Sequence, residues 1–153
     1  LAYAYSLEGR FEEADKLAER ALRQADSMHL TAMRSFCLRW IGEVELNAGR
    51  TSNACNIAER LYRHCSATGE FSHGAWARYL LGASLAAEDC REDAVAHLQA
   101  ARDSAEDLGM QPLYALCLQK LGTLLRLEGR EAEAASTLGE AGTLLRDMGM
   151  ERS

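Results

Sequence analysis

Across residues 31–48 apolar side chains recur, among them Ala32, Phe36, Cys37, Trp40, Ile41, Val44 and Leu46. Steps of three and four residues put them on one side of a helix; a strand would alternate at every second residue. Gly49 follows, a residue free to take the left-handed backbone that closes a helix. A second helical stretch then runs to about Thr68, with Thr51 or Ser52 as its expected cap, and Gly69 stops it. The same pattern predicts helices over 71–87, 91–108, 112–128 and 130–148. Before them come a short helix over 1–8, with Leu1, Tyr3, Tyr5 and Leu7 as its apolar face, and a full one over 11–28. Pro112 stands in a first helical turn, where its missing N–H has no partner to lose.

Laid on itself at an offset of forty, the chain matches repeatedly. Gly42, Gly82 and Gly122 share one slot with Ala2, and Ala14, Ala54, Ala94 and Ala134 share another. Gly9, Gly49 and Gly129 coincide with Asp89, while Gly69, Gly109 and Gly149 coincide with His29. A period of this length is the mark of a solenoid of stacked helix pairs. The chain therefore divides into a partial unit, 1–30, and three full ones, 31–70, 71–110 and 111–150, within a single solenoid over 1–153. It begins at Leu1, inside the pattern, and so reads as a piece of a longer array. Glycine inside the first helix of each pair costs helix stability. Its recurrence predicts a close helix crossing, with the alanines at 54, 94 and 134 facing it from the second helix.

The pairs Ile41-Gly42, Leu81-Gly82 and Leu121-Gly122, the turns Gly9-Arg10, Gly49-Arg50 and Gly129-Arg130, and the alanines that follow resemble the tetratricopeptide repeat. That family's unit is about 34 residues long; a unit of forty is similar to the long variant found in large bacterial signalling and transcriptional regulators. The resemblance covers essentially the whole chain and departs from the family pattern at Asp89-Cys90. It implies an all-α, right-handed superhelix of antiparallel helix pairs whose first helices line a concave side. By that register Tyr3, Phe36, Arg39, Glu43, Trp76, Tyr79, Gln119, Thr123 and Arg126 fall on or near the concave side. Aromatic side chains and arginine carry much of the energy of buried interfaces, so these residues are the candidate partner-binding set. The competing reading is that Phe36, Trp76 and Tyr79 pack against the next pair and the arginines are solvated.

Composition changes the picture mainly by exclusion. With one proline and abundant Ala, Leu, Glu and Arg, the chain favours helix throughout. Its 17 basic and 23 acidic residues give a net charge of -6 with the two signs interleaved, so no basic stripe offers a grip on nucleic acid. No apolar run is long enough to span a membrane. Five cysteines without paired spacing argue against a disulfide scaffold and fit a reducing cytoplasm. Cys37 and Cys117, and separately Cys65, share their slots with alanine and read as small core residues.

Catalytic chemistry finds no footing. No glycine-rich run leads into Gly-Lys-Ser or Gly-Lys-Thr. His64 and Cys65 come nearest to a metal pair, but adjacent helical residues diverge by about 100°. The paired carboxylates sit beside turns and in first helical turns, where the helix dipole favours them. The histidines at 29 and 73 lie near helix ends and read as terminal or surface residues. The sequence thus predicts no enzyme, cofactor or metal site. Its leading function is an interaction module in a regulator, holding a protein or peptide segment or a neighbouring domain. Two alternatives stay open: a small-ligand sensor walled by Trp76, Tyr79 and Gln119, and a structural spacer or self-association module joined end to end.

Overall fold

Every twentieth residue of this protein turns the backbone left-handed. In the computed structural model, Gly9, His29, Gly49, Gly69, Asp89, Gly109, Gly129 and Gly149 all have φ between +53° and +77°. The structure describes Tyr5 and residues 8–150; the expected opening helix, with Tyr3, otherwise lies outside the described residues. Between the turns run seven helices: α1 Phe11–Ser27, α2 Thr31–Asn47, α3 Thr51–Thr68, α4 Phe71–Ala87, α5 Arg91–Asp107, α6 Gln111–Leu127 and α7 Glu131–Asp147. The predicted bounds hold to within one or two residues.

Each turn closes in the same way. The N–H of the residue after the left-handed one donates five residues back: Leu30 to the Ala25 carbonyl at 3.0 Å, Arg50 to Glu45 at 2.9 Å, Cys90 to Leu85 at 2.9 Å. This satisfies carbonyls that a helix end leaves unpaired. The same residue's carbonyl then accepts the first bond of the next helix, from Arg34, Ala54 and Ala94 respectively. One residue therefore ends one helix and begins another. The expected caps from Thr51 and Ser52 do not form: α3 starts at Thr51, its N-cap is Arg50, and no side chain caps it. Both hydroxyls donate instead to Glu88 Oε1, at 3.0 and 2.8 Å, across to the end of α4.

Consecutive helices pack in order as an antiparallel helical array. Beyond that, α2 packs on α4 and α4 on α6, the first helices of successive pairs, whereas α1, α3, α5 and α7 do not reach one another. The pairs lean together along their first helices and stand apart along their second. The core lies between these layers. Ala14, Ala54, Ala94 and Ala134 are fully buried, as are Leu38, Leu61, Leu80, Leu98 and Leu113. Cys37, Cys65 and Cys117 are buried and all five cysteines are free. Burial pushes the Cys117 thiol up to about 12.

The glycine crossings are present; Ala94 faces Gly82 as expected, and leucines not foreseen stand closer still. A Cβ on Gly82 would stand 2.6 Å from Leu98 Cγ and 3.0 Å from the Ala94 carbonyl oxygen; on Gly122 it would meet Leu138 Cγ at 2.6 Å. At Gly42 the intruder is Leu80 of the next pair, 2.8 Å away. The second-helix alanines let the backbones approach, and a leucine one turn further on fills the space this opens.

Candidate functional site

Two surfaces of the stack gather aromatic, polar and charged side chains. The first is the seam between α2 and α4. Arg39 lies with its guanidinium 3.7 Å from the centre of the Trp76 ring and 5.0 Å from that of Trp40. Its Nε donates to Glu43 Oε1 at 2.9 Å, one turn along the same helix. Trp76 meets Tyr79 edge-on at 5.8 Å, and Phe36 meets Trp40 edge-on at 5.6 Å. Such stacks favour the cation and the ring edges by about 1 kcal/mol each. Burial raises the Glu43 carboxyl, against the opposing pull of Arg39.

The sequence-predicted set thus separates into groups. Arg39, Glu43, Trp76 and Tyr79 come together, and they chiefly touch one another. The Arg39 and Glu43 side chains are only 19% and 14% exposed, and Tyr79 belongs to the core. Phe36 flanks them and is exposed. Gln119, Thr123 and Arg126 stand on α6, all exposed, with Thr123 Oγ1 donating to the Gln119 carbonyl at 2.9 Å. Tyr3 lies outside the described residues.

The second surface, which the sequence reasoning missed, is formed by open grooves along the second helices. One groove of about 480 Å³ runs between the end of α3, the start of α4 and the end of α5, with Tyr62, Gly74 and Arg78 among its walls. Another, of about 470 Å³, is bounded by α5, α6 and α7 and is floored by leucines such as Leu118 and Leu121. Its rim is charged, with Arg102, Glu106, Glu133 and Glu140. The only advance signal was the departure of single residues from the forty-residue pattern.

Among the described residues, polar side chains inside the stack divide between one paired network and buried atoms without a hydrogen-bond partner, on His64, Glu70, His73, Ser84 and His97. Arg50 Nη2 donates to both carboxylate oxygens of Asp15, at 2.8 and 2.9 Å, and Arg50 also holds Glu45 through two further bonds. Asn53 completes the network on Glu45 Oε2 at 3.1 Å. These bonds, Arg50 foremost, lower the Glu45 carboxyl despite its burial. The histidines differ from the surface reading at one position. His73 is half-buried, its Nδ1 has no partner, and burial lowers it. His64 Nε2 stands 3.8 Å from Glu70 Oε1.

Among the described residues no cluster of three or more His, Cys, Asp or Glu side chains is placed to hold a metal ion. Nor, among them, is any helix long and apolar enough to cross a membrane. No protein-family model matches the chain, and no curated protein matches it.

Proposed function

We propose that this chain is a protein–protein or interdomain interaction scaffold of the tetratricopeptide-repeat kind, within an intracellular bacterial regulator. The observation that carries the reading is the asymmetry of the stack. First helices pack on one another and second helices do not, so an array built this way curves around its first helices. Phe36, Arg39, Glu43, Trp76, Tyr79, Gln119, Thr123 and Arg126 all stand on those helices. Phe36, Gln119, Thr123 and Arg126 would make the contact, while Arg39 on Trp76 holds the platform rigid. The regulator assignment rests on the resemblance of the long repeat alone. The ligand-sensor alternative asks for a closed cavity walled by Trp76, Tyr79 and Gln119. Trp76 instead carries Arg39 on its ring and meets Tyr79 edge-on, and Tyr79 is buried, which favours the scaffold.

Site-specific photo-cross-linking tests the proposal. A photoreactive residue replaces Gln119 or Thr123 on a first helix, or Glu92 or Arg63 on a second helix, in the cells that make the protein. One discrete partner, or a neighbouring domain, is expected at the first-helix positions, with Arg126→Ala weakening its capture. Equal labelling from both sets of positions, or none from Gln119 and Thr123, would reject the reading.

A further inference from the structure

The 480 Å³ groove has a counterpart one unit earlier. A groove of about 280 Å³ is lined by seven residues from Ala25 to His64, and each of them, moved on by forty, lines the larger groove. The two are the same place in successive repeats. They differ because Arg34 fills the first, its guanidinium bound to Asp26, while the matching residue in the second is Gly74. In the following unit the slot holds Tyr114, whose hydroxyl donates to Glu140 at 3.2 Å. Tyr114 there lines the groove of about 470 Å³, so of the three matching positions the middle one alone has no side chain.

Packing does not require that glycine. A Cβ on Gly74 would meet only Cys65 Cβ, at 3.7 Å, an ordinary contact. Its backbone is not left-handed either. A helical glycine with neither reason costs stability of about 0.5–1 kcal/mol relative to alanine. This sets it apart from Gly42, Gly82 and Gly122.

Three more departures from the repeat converge on the same groove. Arg78 stands in the slot of Leu38 and Leu118, which are core leucines. Tyr62 stands in the slot of Leu22 and receives a 2.7 Å hydrogen bond on its hydroxyl from Arg78 Nη2. Phe71 replaces the polar Thr31 and Gln111 and is 77% exposed, with Leu108 across the groove also exposed. Arg78 is half-buried and, among the described residues, makes this single hydrogen bond and no ion pair. A guanidinium has five N–H donors. One placed where leucine belongs, short of acceptors, is arranged for an anion from outside.

We propose that this groove is a second binding site, away from the first-helix face, for a peptide segment carrying one acidic residue beside an apolar one. The carboxylate takes the planar edge of Arg78, the geometry guanidinium groups favour. The apolar side chain enters the space above Gly74, between Phe71 and Leu108. The groove is open along its length, and a further 320 Å³ hollow shares Tyr62 and extends it past His97; this suits a length of chain better than a small molecule, which favours enclosure. Glu70 and Asp107 also line the groove. Glu70 Oε1 accepts the Thr68 hydroxyl at 3.1 Å, while its buried Oε2 has no hydrogen-bond partner among the described residues. These two carboxylates oppose a run of acids, so the fit is for a single one. Trp76 lies two residues from both Gly74 and Arg78, about 200° around the helix, so the two surfaces are separable.

The experiment is selection of a random heptapeptide library on the intact chain, counter-selected on Gly74→Tyr, which copies Tyr114 of the next unit. Arg78→Leu, which restores the leucine of the other two units, is the second variant; both are checked for an unchanged helical melt. Peptides with one Glu or Asp next to a large apolar residue are expected, bound by the wild type and lost by both variants. Exchanging the acid for its amide should weaken binding about tenfold or more. The proposal is overturned if nothing is enriched, if Gly74→Tyr enriches the same sequences, or if the enriched sequences lack an acid.

Discussion

The junctions after α2 and after α4 share a backbone and little else. After α2, Arg50 ties Asp15 of α1 to Glu45 of α2. After α4, the three matching positions are Cys55, Leu85 and Cys90; after α6 they are Val95, Leu125 and Arg130. The turn geometry is unchanged throughout, because the left-handed residue and its five-back hydrogen bond set it. The backbone tolerates either an ionic clamp or an apolar contact at one site. Neighbouring pairs can therefore diverge in chemistry without disturbing the stack.

The largest effect should come from breaking the clamp on one side. Arg50→Ala leaves Glu45, only 11% exposed in its side chain, without its principal partner; a loss of about 2 kcal/mol is expected in urea unfolding. Adding Glu45→Leu, the residue at 85 and 125, should recover most of that loss. If the double variant is no better than the single one, the clamp and the apolar contact are not interchangeable. A smaller contrast lies within α4. Gly82→Ala drives a Cβ against Leu98 and the Ala94 carbonyl and should cost about 1–2 kcal/mol by overpacking. Gly74→Ala, eight residues earlier, should gain about 0.5–1 kcal/mol from helix propensity. Thermal melts of the two variants should move in opposite directions; a shared direction would undo the distinction between a packing glycine and an open one.

The smallest effect concerns pH. His73 and His97 stand in slots that hold Met33 and Leu113, and Ile57 and Thr137, in the other units. Burial lowers both histidines; Arg39 adds to this at His73 and Arg78 at His97, while Glu70 and Asp93 oppose it. A depressed folded-state value means the unfolded chain binds protons more readily. Their contribution is complete above the ordinary histidine range and is lost as the pH falls below it. Urea midpoints should decline from pH 7 to 5, and His73→Leu with His97→Ile should flatten that decline. An unchanged slope would assign it to other groups.

The fold was legible because its determinants are local. A glycine at each turn and an apolar stripe between turns need no knowledge of distant residues. His29 and Asp89 fit the same rule, since both take the left-handed backbone their glycine counterparts take. Side-chain meetings were less legible. Arg50 finds Asp15 thirty-five residues away, and Leu98 joins Ala94 in covering Gly82. Both depend on how far one helix is rotated and slid along another, which the repeat does not encode. Thr51 and Ser52 are the residue types of helix caps, a local preference, but a carboxylate on the next pair holds them instead. The outer groove was hidden for the opposite reason. Its residues are the positions at which the units differ, and a repeat pattern is defined by the positions at which they agree.

The sharing of one residue by two helices also governs how such a chain can change length. There is no slack at the turns Met28–Leu30, Ala48–Arg50 or Glu88–Cys90, since each of these residues is hydrogen-bonded to the helix before it. One inserted residue within a helix would swing every later side chain in it by about 100°, off the buried face. A deletion would do the same in reverse. Small insertions and losses, which ordinary surface loops absorb, should therefore be rejected almost everywhere between Phe11 and Asp147. Material should be gained or shed by duplication or removal of whole helix pairs.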